Sequence, residues 1–182
     1  MRPTLFLDFD DVLCLNAPYG GGHIRRATQE PLPADFWPRL FHRPAIETLL
    51  EVMAEHTPQI VVTTSWLRFL ERQGIDLILR RTGLTAVADG LHDVAWDAPQ
   101  RHDGTRLSAI NEWLKRYHSG EPFVVLDDLD SGTGLLNSRH HKAGKVVLCT
   151  PCVGLEAAHL PLIRWSLSPV PKQVVKEVPP RR

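Results

Sequence analysis

Leu5-Phe6-Leu7-Asp8-Phe9-Asp10-Asp11-Val12-Leu13, close to the N-terminus, is an apolar run that ends in three carboxylates over four positions before apolar residues resume. The run is short, continuous and without polar alternation, which is the pattern of a strand buried on both faces. Carboxylates grouped at the exit of such a strand carry a large desolvation cost unless a cation or a reaction uses them. Residues 4 to 9 are read as that strand, and the acids behind it as one part of a site.

Working outward, residues 14–41 change character. Pro18, Gly20-Gly21-Gly22, Pro31, Pro33 and Pro38 punctuate them and no helical or strand period persists. An irregular segment of this length in a compact domain reads as a functional lid or binding loop. Its Tyr19, His23, Arg25, Arg26, Phe36 and Trp37 either face a ligand or belong to a solvated loop with a few anchors. Pro44 then opens a helix whose Ile46, Leu49, Leu50 and Met53 share one face. Ile60-Val61-Val62 is a second buried strand, ending in Thr63-Thr64-Ser65. A helical pattern follows from Trp66 to Arg81, interrupted at Gly74, and Thr85 to Val87 reads as a short third strand.

Residues 89–104 read as a loop. Thr105 caps a helix with Leu107, Ile110, Leu114 and Tyr117 on one stripe. Phe123-Val124-Val125-Leu126 is another buried strand that runs into Asp127-Asp128-Leu129-Asp130, with Asp130 assigned to capping the next turn. Lys145 to Cys149 is a last strand, and a helix is expected from Leu155 to about Trp165. Residues 168–182, rich in proline and in lysine or arginine, read as a disordered tail.

Continuous apolar strands alternating with helices indicate an α/β fold, a mainly parallel sheet covered on both faces. In such sheets ligands collect at the carboxyl ends of the strands. Three strands end there in polar groups: Asp8/Asp10, Thr63-Thr64-Ser65 and Asp127/Asp128. Carboxylates from two strand ends make a hard oxygen site suited to Mg²⁺. Hydroxyls and a cation beside it would hold phosphate oxygens, one aspartate would attack phosphorus, and another would move the proton.

Asp8-Phe9-Asp10-Asp11-Val12-Leu13 resembles the D-x-D-G-V/T signature of the haloacid dehalogenase (HAD) superfamily. Ile60 to Ser65 resembles its second motif and Val124 to Asp128 its fourth. Arg106, opening the helix before that strand, stands where the third motif has a basic residue; Lys115 is the later alternative. The resemblance implies a three-layer Rossmann-like catalytic domain over residues 1–167 with a minimal cap at 14–41. It implies Asp8 as nucleophile and Asp10 as general acid/base. Asp8, the Asp10 backbone carbonyl and Asp127 would hold Mg²⁺, assisted by Asp128. Thr63 or Thr64 would bind the phosphoryl group, steadied by Arg106.

Thr64-Ser65-Trp66, Asp127-Asp128 and Thr150-Pro151-x-x-Gly154-Leu155 are also similar to the small HAD domains of bacterial nucleic-acid repair proteins. That likeness implies a Mg²⁺-dependent phosphomonoester hydrolase whose substrate is a nucleotide or a phosphorylated nucleic-acid end. The alternatives are a phosphate- or nucleic-acid-end-binding module that has lost the reaction, and a receiver-like phospho-acceptor domain. The sequence departs from the pattern at Asp11, where glycine is usual, and at Arg106, where lysine is.

Twenty-one basic residues balance 21 acidic ones, so no global field draws the chain to nucleic acid or membrane. Met1-Arg2-Pro3-Thr4 lacks the features of a signal peptide, and Cys14, Cys149 and Cys152 make no disulfide framework. The setting expected is soluble, reducing and cytoplasmic. Cys149-Thr150-Pro151-Cys152 has redox or zinc spacing, but the expected reading is two thiols around a strand end.

Overall fold

The strands of the computed structural model, which describes residues 1–27, 31–100, 104–129 and 133–169, form one sheet. In chain order the elements are β1 (Thr4–Leu7), α1 (Gly21–Arg26), α2 (Phe36–Leu40), α3 (Arg43–His56), β2 (Gln59–Val62), α4 (Arg72–Arg81), α5 (Thr85–Asp89), α6 (Arg106–Tyr117), β3 (Phe123–Asp128), α7 (Arg139–Lys142), β4 (Val146–Cys149) and α8 (Leu160–Leu167). The strand order is β2-β1-β3-β4 and every pairing is parallel. The α/β reading holds.

Alternate side chains on each strand enter different cores, as strand geometry requires. Leu5, Leu7, Ile60, Val62, Val124 and Leu126 pack with apolar residues of α3, α4, α5 and α8. Phe6, Val61, Val125 and Val146 pack on the other face with Ile110 and Trp113 of α6. With both faces buried, polar residues are confined to the strand ends (Thr4, Gln59, Asp127 and Asp128), which is why the strand interiors read as unbroken apolar runs. Trp113 shifts the buried stripe of α6: Arg106, Ala109, Ile110 and Trp113 are inside, Leu107 and Leu114 lie at the margin, and Tyr117 is exposed. The indole meets Phe6 edge to face at 5.1 Å.

Three other expectations change. Thr85 to Val87 is helical rather than a strand, because Leu84, Val87 and Ala88 together bury one helical face in the core shared with α3 and α4. The edge of β2 is covered instead by residues 90–98. His92 N donates to Ile60 O at 2.9 Å and Val62 N to Trp96 O at 2.7 Å, which satisfies an otherwise open sheet edge. The break after Trp66 falls before Arg72, not at Gly74: a 3₁₀ turn, Ser65–Arg68, precedes α4, and Gly74 sits in the first turn of α4. The last helix begins at Leu160 rather than Leu155, after a 3₁₀ turn at Ala157–His159.

Residues 14–41 hold two short helices, α1 and α2, anchored by Ile24, Phe36, Leu40 and Phe41 in the main core. Phe36 is thus an anchor, whereas Arg25 and Arg26 are exposed. No helix among the described residues is long and apolar enough to cross a membrane. Asp130, His102 and residues 170–182 of the expected tail lie outside the described residues.

Candidate active site

Strand register sets the site. Leu7 pairs with Val62 on one side and Leu126 on the other, so the next residues, Asp8, Thr63 and Asp127, stand level at the carboxyl edge. The ladder continues one step into them: Asp8 N donates to Leu126 O at 3.0 Å and Thr63 N to Leu7 O at 2.9 Å. Asp8, Asp127 and Asp128 are all buried and present carboxylate oxygens within 4.8 Å of one another.

Arg106 is the first residue of α6, whose start is fixed by Thr105 Oγ1 accepting from Ser108 N at 3.1 Å. Only 3% exposed, it donates through Nη1 to Asp8 Oδ1 at 3.1 Å and lies with Nε 3.5 Å from Asp127 Oδ2. One guanidinium therefore bridges carboxylates from two strands, a geometry suited to its planar fork. Lys115, farther along the same helix, is exposed.

Among the described residues, Arg106 faces the buried Asp8 and Asp127, with the buried Asp128 beside them. Burial pushes the Asp8 carboxyl up to about 8; Arg106 pulls it down, and the neighbouring charges of Asp127 and Asp10 push it further up. The all-oxygen donor set and the close spacing fit a hard divalent cation such as Mg²⁺. Asp128 N donates to Asp127 Oδ1 at 3.0 Å, which helps hold the second strand's carboxylate in place.

The Asp10 carboxylate is held away from this group. Trp66 Nε1 donates to both of its oxygens, at 3.1 and 3.0 Å, Ser65 Oγ donates to Oδ2 at 3.1 Å and Asn16 Nδ2 to Oδ1 at 3.2 Å. Of the expected metal-site carboxylates, Asp10 is the one that does not join the cluster by its side chain. Thr63 and Thr64 are both buried at the strand end. Thr64 Oγ1 accepts from Trp66 N at 3.4 Å, whereas Thr63 Oγ1 is buried with no hydrogen-bond partner among the described residues. Asp11 has φ +51°, in the left-handed region where glycine is favoured, and its Oδ1 accepts from Cys152 N at 2.8 Å.

Asn16 was not singled out by the sequence, and Ser65 and Trp66 entered only as part of the strand-end hydroxyl run and of the Thr64-Ser65-Trp66 resemblance, with no role of their own. Trp66 carried one signal, a donor-only indole N–H next to two hydroxyl residues, but which acceptor it meets depends on the fold. Cys149 is buried, and burial together with Asp127 and Asp128 pushes its thiol up to about 12, while Cys152 is exposed. No second group of potential metal ligands occurs among the described residues, and His140 is engaged with Asn111 at 2.8 Å.

A model of the family described as HAD domain in Swiss Army Knife RNA repair proteins matches residues 4–160, from the first residue of β1 to the first of α8. Neither a curated protein nor a solved structure gives a significant match.

Proposed function

The chain belongs to this family of HAD domains, and on that premise we propose that it is a Mg²⁺-dependent phosphomonoester hydrolase acting through an aspartyl-phosphate. The observation that carries the reading is the division of the acids. Asp8, Asp127 and Asp128 form one buried cluster with Arg106, and Asp10 stands apart on its own donors.

In this reading an Asp8 oxygen attacks phosphorus while the bond to the leaving oxygen breaks, and Asp10 delivers a proton to that oxygen. Asp10 then takes a proton from water as the water oxygen attacks phosphorus, which frees Asp8 and releases inorganic phosphate. Arg106 and the Thr63 or Thr64 hydroxyl hold the phosphoryl oxygens. Bound Mg²⁺, held by Asp8 and Asp127 with the Asp10 carbonyl and with Asp128 assisting, would neutralise phosphate charge.

The substrate proposed is a nucleotide or a phosphorylated nucleic-acid end. Two things support it: the family's description names RNA repair, and a cleft lies beside Asp10, bordered among the described residues by Gly22 and Arg25 of the 14–41 segment and by Ser65 and Phe69. A panel of 3′- and 5′-phosphorylated oligonucleotides, nucleoside monophosphates and sugar phosphates, assayed with Mg²⁺ and with EDTA, tests it. Mg²⁺-dependent phosphate release, favouring the nucleic-acid substrates, is expected. Binding of phosphorylated ends with no release from any substrate would favour the non-catalytic module instead.

A further inference from the structure

We propose that Trp66 is the positioning residue for the proton-transferring Asp10, with Ser65 and Asn16 as its seconds; this rests on the hydrolase reading. Asp10 is only half buried, and its side chain has several rotamers open to it. Donors from two separate segments remove that freedom: Trp66 and Ser65 from the turn after β2, and Asn16 from the loop after β1. Trp66 Nε1 reaches both carboxylate oxygens almost equally and so fixes where the group points, while the single-oxygen bonds from Ser65 to Oδ2 and Asn16 to Oδ1 fix its rotation.

The indole itself is held on every side. It is 1% exposed, meets Phe9 edge to face at 5.3 Å and stacks on Phe69 with centroids 6.5 Å apart. The backbone of Gly21 lies against it so closely that a Cβ at that position would come within 2.6 Å of Nε1. An indole N–H donates and cannot accept, so Trp66 orients the carboxylate without competing for the proton it moves. The exchangeable proton is thereby left to the leaving oxygen and to water.

The test exploits the difference between esters that need a proton on departure and those that do not. For wild type and Trp66→Phe, kcat/KM is measured with Mg²⁺ on an alkyl phosphate, here the phosphorylated oligonucleotide end, and on p-nitrophenyl phosphate. This ratio reports the steps through phosphoryl transfer to Asp8. Phenylalanine keeps the ring packing and deletes the donor. The expected result is a loss of about tenfold or more on the alkyl ester and under about threefold on the aryl ester, from the size of general-acid effects. KM should be little changed.

In an Asp10→Asn background the same substitution should leave the alkyl-to-aryl ratio unaltered, because the group it orients is gone. Ser65→Ala, at an exposed position, should give the same split with a smaller factor and serves if Trp66→Phe fails to fold. Equal losses on the two esters, no loss, or an undiminished effect in the Asp10→Asn background would overturn the positioning role alone. No turnover of either ester by the wild type would overturn the hydrolase reading and this role with it.

Discussion

Asp11 shows how a departure from a family pattern can be repaid locally. At φ +51° an ordinary L side chain is strained, yet this carboxylate accepts the Cys152 N–H that closes the turn leading to Gly154. Asparagine keeps both the tolerance for that conformation and the acceptor. Asp11→Asn should therefore be close to neutral, whereas Asp11→Ala should lower stability by about 2 kcal/mol, the left-handed strain plus one lost hydrogen bond. Denaturant unfolding separates the two, and equal losses would contradict the account. Arg106 differs in kind. Arg106→Ala removes the buried partner of the Asp8 carboxylate and should cost about 3–5 kcal/mol in the same unfolding measurement, partly recovered by Mg²⁺. The resemblance marked Asp11 as standing where glycine is usual, and φ +51° gives the physical reason. Its Cys152 partner lies far along the chain, and no local pattern marked it.

At the scale of elements, the strands were legible because burial on both faces forbids polar interruption, so Leu5 to Leu7, Ile60 to Val62 and Val124 to Leu126 announced themselves. Thr85 to Val87 did not, because three residues are too few to tell a period of 2 from one of 3.6; only contact with the α3 and α4 side decides it. Nor could the sequence supply register, yet register is what brings Asp8, Thr63 and Asp127 level. The 14–41 segment was read as irregular because its helices are each a turn or two long, too short for periodicity to show. Its tie to the site runs through Gly21. Gly21→Ala should displace the Trp66 indole and lower kcat/KM several-fold, with the near-ultraviolet circular dichroism of the tryptophans changed and the far-ultraviolet spectrum unchanged. A fully active Gly21→Ala protein with unaltered tryptophan signals would show that the loop does not constrain the indole.

At the scale of the whole molecule, the site sets a pH dependence of stability. Asp8 titrates near 8 in the folded chain without metal, against a value of 3.8 for the free side chain. The folded state therefore holds a proton that the unfolded state has lost, and stability falls as pH rises between those values. In EDTA, the thermal midpoint should drop from pH 5 to pH 8. Mg²⁺ should raise it most at the upper end, since the cation stabilises the ionised carboxylates that burial penalises. Asp8→Asn should flatten the profile and weaken the Mg²⁺ response. A midpoint that rises with pH in EDTA would contradict the electrostatic picture of the cluster.

The central claim is that Asp8 carries the phosphoryl group between the two chemical steps. The most direct test is a rapid-quench reaction of the wild-type protein with Mg²⁺ and a phosphorylated oligonucleotide, followed by reduction with tritiated borohydride, which expels the phosphate and converts a phosphorylated aspartate to homoserine, and then peptide mapping. Transient tritium is predicted on the peptide containing Asp8, as homoserine at that residue, with none in Asp8→Asn. Release of phosphate by the wild type with no tritium ever at Asp8 would contradict it.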